Sequence, residues 1–196
     1  DVMQSVVAQT MARFGRLDVL VANAGIGQRG ALVDAKWEDL DAVVRTNVDG
    51  VLHSIRAAVP AMRQSGGGHI VIVSSVVYNM ITPYAAIYSA SKAFVSSIAR
   101  SLRYELEPDR ITVTELLVGR TQTEFHQRRL GNKGYADKAP RIPVMTSERV
   151  AEGIVRATER RSKTVVLRWF DRLILLGNLL LADYVARRAM RQYRTR

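Results

Sequence analysis

The stretch that decides the fold is His69-Ile70-Val71-Ile72-Val73, preceded by Gly66-Gly67-Gly68 and closed by Ser74-Ser75. A continuous apolar run bounded this way predicts a short strand buried on both faces, because a half-exposed strand alternates apolar with polar residues. Similar runs lie on either side of it: Leu17 to Ala22, which stops at Asn23-Ala24-Gly25, then Ile111 to Leu117, and Thr164 to Leu167. Between them the apolar period changes to that of helices. Residues 3–14 read as a helix ending at Gly15, and Lys36 to Met62 as one long helix carrying Leu40, Val43, Val44, Val51, Leu52, Ile55 and Val59 on its stripe. Ala85 to Glu107 places Val95, Ile98, Leu102 and Leu106 on one face, Ser147 is the expected N-cap of a helix reaching Arg160, and Asp171 to Tyr193 forms a last amphipathic helix. Strands alternating with helices, all continuously apolar, predict a doubly wound α/β domain with a parallel sheet. Gly119 to Thr146 is expected to be helix-free and lid-like, since connections of that length in compact domains serve function or lack order.

Composition narrows the functions available. The chain of 196 residues is 47% hydrophobic and 24% charged, a globular balance that excludes wholesale disorder. The absence of cysteine excludes disulfides, thiolate zinc sites and cysteine nucleophiles. His53, His69 and His126 are far apart, so no metal site is expected. The net charge is +11, and residues 156–196 hold 11 Lys and Arg against 3 Asp and Glu. A basic tail on a nearly neutral body suits an anionic surface and argues against nucleic-acid binding as the main task. The run from Leu173 to Ala182, interrupted by Gly177 and Asn178, is too short to span a bilayer. It fits a basic helix lying on an anionic membrane or packed on the body or a partner subunit.

In an open α/β sheet, ligands bind beyond the carboxyl ends of the strands. The residues found there are Asn23, Ala24 and Gly25, then Ser74 and Ser75, then Val118, Gly119, Thr121 and Thr123. The sharpest local pattern is Tyr88-Ser89-Ala90-Ser91-Lys92, whose phenol and ammonium share one helical face. A nearby positive charge favours phenolate, so Lys92 is expected to lower the Tyr88 pKa and make it a general acid/base for an alcohol or ketone. Ser75, thirteen residues before Tyr88, is a candidate for binding the substrate oxygen, or else a turn or capping serine. Asn47 interrupts an apolar stripe and must find hydrogen-bond partners if buried.

Together, the NAG, NVDG, SS, YSASK and VG-x-T-x-T segments, in this order, resemble those of the short-chain dehydrogenase/reductase family over residues 1–168. The resemblance implies a Rossmann-like domain over residues 1–170, with a basic helix at 171–196, and an NAD- or NADP-dependent oxidoreductase acting on a secondary alcohol or ketone of apolar character. It implies Tyr88 as acid/base and Lys92 as the residue that lowers its pKa and binds the nicotinamide ribose. Ser75 would position the substrate oxygen and Asn47 would hold a water in a proton relay. Asn23, Ala24 and Gly25 would border the adenosine side, Val118, Gly119, Thr121 and Thr123 the nicotinamide, with Thr123 as carboxamide partner and Phe125 shaping specificity. A cytoplasmic homo-oligomer is the expected setting.

The sequence departs from the family pattern in places. It contains no TGxxxGxG turn, so about 60 residues are expected upstream, at ~30 per βαβ unit. Ala22 and Val118 stand where Asn and Pro are usual. The competing readings are a non-catalytic interaction or membrane-associated module on this fold, and an isomerase or lyase.

Overall fold

The apolar runs pair side by side. In the computed structural model, which describes residues 2–132 and 144–191, four strands form one parallel sheet: β1 (Val19–Ala22), β3 (Gly68–Ser75), β4 (Ile111–Val118) and β6 (Thr164–Val166), in the order β1-β3-β4-β6. The helices are α1 (Val2–Phe14), α2 (Trp37–Val44), α3 (Gly50–Gln64), α4 (Ala86–Glu105), α5 (Ser147–Arg160) and α6 (Trp169–Arg191). Parallel neighbours require crossovers, and helices α3, α4 and α5 supply them. The result is the doubly wound α/β fold expected from the sequence.

β3 is buried at every position, as its uninterrupted apolar run demands. Its even residues Ile70 and Ile72 meet Val51, Ile55 and Met62 of α3 and Val95 and Ala99 of α4. Its odd residues Val71 and Val73 join Leu116, with Val150 and Ile154 of α5 packed against them. One strand thus anchors both layers, because successive side chains of a strand point to opposite faces. The register pairs Ser75 with Val118 and Ala22 with Ile72, bringing three strand ends to the same edge of the sheet.

Several elements differ from expectation. The long helix predicted over 36–62 is two helices joined by a π-helical turn, Arg45–Asp49, with Asn47 at its middle. The Leu17 to Ala22 run reads as a strand buried on both faces, and as an apolar edge where no further strand pairs with it. β1 lies at the edge of the sheet, and Val19 and Val21 are 38% and 40% exposed on the side shared with Val71. The N-cap of α5 is Thr146, not Ser147: its hydroxyl accepts a hydrogen bond from the Arg149 N–H at 3.3 Å. Within the expected lid lie a 3-10 turn (Glu124–His126) and β5 (Leu130–Gly131), which pairs in parallel with β2 (Gln28–Arg29). Two-residue strands carry too little periodicity to be seen in a sequence. Residues 133–143 of the lid and the expected helix end at Tyr193 lie outside the described residues. α6 begins two residues before the expected start and kinks at Leu181.

Ile72 is fully buried between α3 and α4. Ile72→Ala should therefore lower unfolding free energy by about 2–5 kcal/mol, read as a shift of the urea midpoint.

Candidate active site

Tyr88 and Lys92 sit on the first turns of α4, which starts just beyond the tight turn at Tyr84. Hydroxyls hold this helix to the end of β3. Ser89 Oγ donates to the Val77 and Met80 carbonyls at 2.7 and 3.2 Å, within and at the end of the 3-10 turn (Val76–Asn79) that follows Ser75. Ser74 Oγ donates to the Lys92 carbonyl at 3.1 Å and pairs with Ser96 Oγ at 2.7 Å. These bonds fix where the helix, and so its phenol and ammonium, can point.

Ser75 takes both of its expected parts. Its hydroxyl accepts from the Val77 N–H at 3.4 Å, capping the turn, and donates to the Val118 carbonyl at 3.2 Å, tying β3 to the Val118–Gly119 corner. It also lies near enough to Tyr88 to pull the phenol's pKa down. Lys92 is buried, and its ammonium donates to the Val73 carbonyl at 3.0 Å. It lies 6.0 Å from the centre of the Tyr88 ring.

The electrostatics differ from the expectation in one respect. Tyr88 has its pKa raised above 10, first by burial, with the nearby Ser75 hydroxyl pulling it back. Lys92 is itself destabilised as a cation, since burial lowers its pKa to about 8. Desolvation of both groups outweighs the attraction expected between phenolate and ammonium. Phe125 contributes to that dryness: its ring packs on Tyr88 at 5.4 Å between centres, and it lies so close over Gly27 that a Cβ there would approach its ring to 2.9 Å.

Asn47 is fully buried, and every part of its amide is engaged. Oδ1 accepts from the Ile26 N–H at 2.8 Å, while Nδ2 donates to the Ile26 carbonyl and to Ser91 Oγ, both at 2.9 Å. Ser91 Oγ in turn donates to the Tyr88 carbonyl at 2.7 Å. The asparagine therefore pins the turn after β1 to the helix bearing Tyr88. Gly25 lies in the same junction, close against both side chains: a Cβ would sit 3.3 Å from Lys92 Nζ, a tight contact, and 3.5 Å from Asn47 Oδ1.

The remaining sequence candidates surround this centre unequally. Asn23 and Ala24 are exposed at the end of β1. Thr121 Oγ1 donates back to the Gly119 carbonyl at 3.1 Å, and Thr123 caps the Glu124–His126 turn by accepting from the Phe125 N–H at 3.3 Å. Gly119 rests against an ion pair that sequence reading did not identify. Arg168 and Asp171 are buried and joined by two bonds of 2.7 and 2.8 Å, and a Cβ on Gly119 would meet Arg168 Nη2 at 2.3 Å. An i, i+3 Arg/Asp spacing is too common for its burial to be anticipated. The hydroxyls of Ser89 and Ser91, by contrast, stood in plain view beside Tyr88.

The arrangement fits the nicotinamide–ribose end of a dinucleotide. Lys92 keeps donors beyond the one spent on Val73, and among the described residues no carboxylate neutralises it. Among the described residues, no cluster of three His, Cys, Asp or Glu side chains is placed to hold a metal. His69 is instead held between Thr114 Oγ1 at 2.8 Å and the Thr158 carbonyl at 3.2 Å, and burial lowers its pKa.

Two expected outcomes follow from this geometry. Asn47→Ala leaves the Ile26 N–H and carbonyl without partners and should cost about 1–3 kcal/mol in chemical denaturation. The folded Lys92 loses its proton near pH 8, whereas in the unfolded chain it keeps it to about 10.5. The unfolded state binds the extra proton between these values, so stability rises as pH is raised from about 8 toward 10. Lys92→Met should flatten that rise in a pH series of melting temperatures.

Comparison with known proteins places the whole arrangement. A family model described as short chain dehydrogenase matches residues 1–133. A 3-oxoacyl-[acyl-carrier-protein] reductase of Thermotoga maritima is 37% identical over 144 residues, 74% of this chain and 58% of that protein. A short chain dehydrogenase from Burkholderia cenocepacia, solved with NADP, superposes with a TM-score of 0.78 at 26% identity, covering 97% of this chain and 78% of the other. One from Mycobacterium paratuberculosis, bound to NAD, gives 0.72 at 28% identity over 83% and 66%. The chain spans about half the length of the curated relatives it matches. On its fold, its strand-end residues and these matches, the chain belongs to the short-chain dehydrogenase/reductase family.

Proposed function

We propose that the protein is an NAD- or NADP-dependent oxidoreductase that interconverts a secondary alcohol and a ketone, with Tyr88 as the acid/base. The observation that carries this is a buried ammonium with no carboxylate partner among the described residues, one helical turn from a phenol beside Ser75. A scaffold has no use for an unpaired buried charge, which costs stability unless something exploits it. NAD or NADP, when bound, supplies or accepts the hydride.

The chain's own residues manage position and proton. The substrate oxygen lies between the Ser75 and Tyr88 hydroxyls, taking a hydrogen bond from Tyr88 and, when the Ser75 hydroxyl turns from the Val118 carbonyl, from Ser75 as well. Tyr88, kept protonated by burial, donates its proton to a carbonyl oxygen as that oxygen gains negative charge, so the site is best prepared for reduction at neutral pH. Lys92, steadied by the Val73 carbonyl, would have its other donors left for the nicotinamide ribose. Asn47 holds Ile26 and Ser91, and any water relay from it runs through its main chain, because its amide is committed. Val118, Gly119 and Thr121 border the nicotinamide, with Thr123 as carboxamide partner. Asn23, Ala24 and Gly25 border the adenosine side. Phe125, stacked on Tyr88, presents an apolar wall to the substrate, in keeping with a small apolar ketone. The name of the Thermotoga relative describes reduction of a 3-oxo group, the same class of reaction.

Residues 1–170 form the catalytic unit in this reading, with 171–196 appended to it. The enzyme works in the cytoplasm as a homo-oligomer. Among the described residues, no helix is long and apolar enough to cross a membrane.

The test is turnover of the natural protein with NADH and NADPH against a panel of apolar ketones. Tyr88→Phe should lower kcat by about 10²–10⁴-fold while circular dichroism stays unchanged. A Tyr88→Phe protein within tenfold of the unsubstituted enzyme overturns the assignment.

A further inference from the structure

α6 is apolar on its outer side as well as on its inner one, where Ile174 and Leu175 are half-buried. The inward face also carries polar groups: Asp171, buried and paired with Arg168, and Asn178, buried and donating from Nδ2 to the Asn79 carbonyl. On the opposite side, Trp169, Leu173, Leu176 and Leu180 follow one another at spacings of four, three and four, which aligns them on one stripe. All four are more than half exposed, from 53% at Leu176 to 74% at Trp169. Leu179, Leu181 and Tyr184 widen the apolar surface around the kink. A helix usually turns its leucines to the core and its polar residues to water. Here a second apolar stripe points away from the body.

The charges around the stripe say what it faces. Arg172, Arg187 and Arg188 are exposed, while Asp171 is neutralised by Arg168 and leaves Asp183 as the helix's remaining acid. The sequence adds Arg191, Arg194 and Arg196 within and beyond the helix end. A second copy of the same basic helix would bring like charges together, whereas a surface of lipid tails beneath anionic headgroups complements both features at once. The helix is too short in apolar residues to cross a bilayer. It is instead suited to lie along one.

We propose that α6 docks the protein on an anionic membrane surface, with Trp169, Leu173, Leu176 and Leu180 entering the headgroup boundary and the arginines pairing with lipid phosphates. α6 packs on the Val76–Asn79 turn, whose N-cap is Ser75, so docking would leave that turn one helix diameter, ~10 Å, from the lipid. The proposal stands on the helix alone and does not depend on the enzymatic reading.

Vesicle sedimentation of the natural protein tests it, using phosphatidylcholine alone and phosphatidylcholine mixed with phosphatidylglycerol. Partition should favour the anionic vesicles, and each exposed arginine replaced by Gln should weaken it about fivefold at low salt. Leu173→Gln with Leu176→Gln and Leu180→Gln should abolish it with the melting temperature unchanged, since all three side chains already face out. In a Trp37→Phe background, Trp169 is the sole tryptophan, and its emission should move to shorter wavelength on anionic vesicles. Absence of partition, equal partition onto both vesicle types, or an unchanged Trp169 spectrum overturns the proposal. So does a triple-leucine variant that turns a dimer into a monomer in light scattering without altering vesicle binding.

Discussion

A cation taken out of water without a counter-ion is among the most expensive things a small domain can contain, and among the described residues Lys92 is held with no carboxylate beside it. Its ammonium is anchored by the carbonyl of Val73, a main-chain dipole of the central strand, which the sheet on one side and α4 on the other keep in place. Burial still lowers its pKa to about 8, so the charge sits close to its limit of stability. The same dryness raises the neighbouring phenol, which Phe125 covers. Lys92 is thereby brought toward the range where a proton can be exchanged, while the phenol is kept in its protonated, donating form.

β3 makes that placement possible. Because it is buried on both faces, its direction and register are fixed by two cores at once, and everything attached to its end inherits that rigidity. Ser74 fastens α4, Ser75 fastens the Val118 corner and lies beside Tyr88, and Val73 fastens Lys92. The π-helical turn at Asn47 performs a similar task on the other side. An extra residue in the turn lets an asparagine leave the helix's own hydrogen-bond pattern and grip Ile26 and Ser91 instead.

The two ends of the sheet behave differently. At β1, Val19 and Val21 are left partly open along an unpaired edge. At β6, α6 closes the fold with the buried Arg168–Asp171 pair, which also fills the space beside Gly119. The backbone at the Val118–Gly119 corner is thus steadied by packing, a compensation for having Val118 where a proline would stiffen the chain covalently.

Local patterns in the amino-acid order were sufficient for the alternation of strands and helices, the four strands of the main sheet and the grouping of Ser75, Tyr88 and Lys92, because apolar period and i, i+4 spacing are properties of neighbours along the chain. They were insufficient wherever the outcome depended on what lies across space. The exposure of β1 depends on its place at the edge of the sheet, the capping by Thr146 on one hydrogen bond, and the short pairing of β2 with β5 on residues a hundred positions apart. The direction of the Tyr88 pKa also belongs to the tertiary structure: sequence shows that a cation is near, while only packing shows that both groups have lost their water, and desolvation is the larger effect. The outward leucines of α6 show the same division, since a helical wheel displays a stripe but only the folded chain decides which side of it the body occupies.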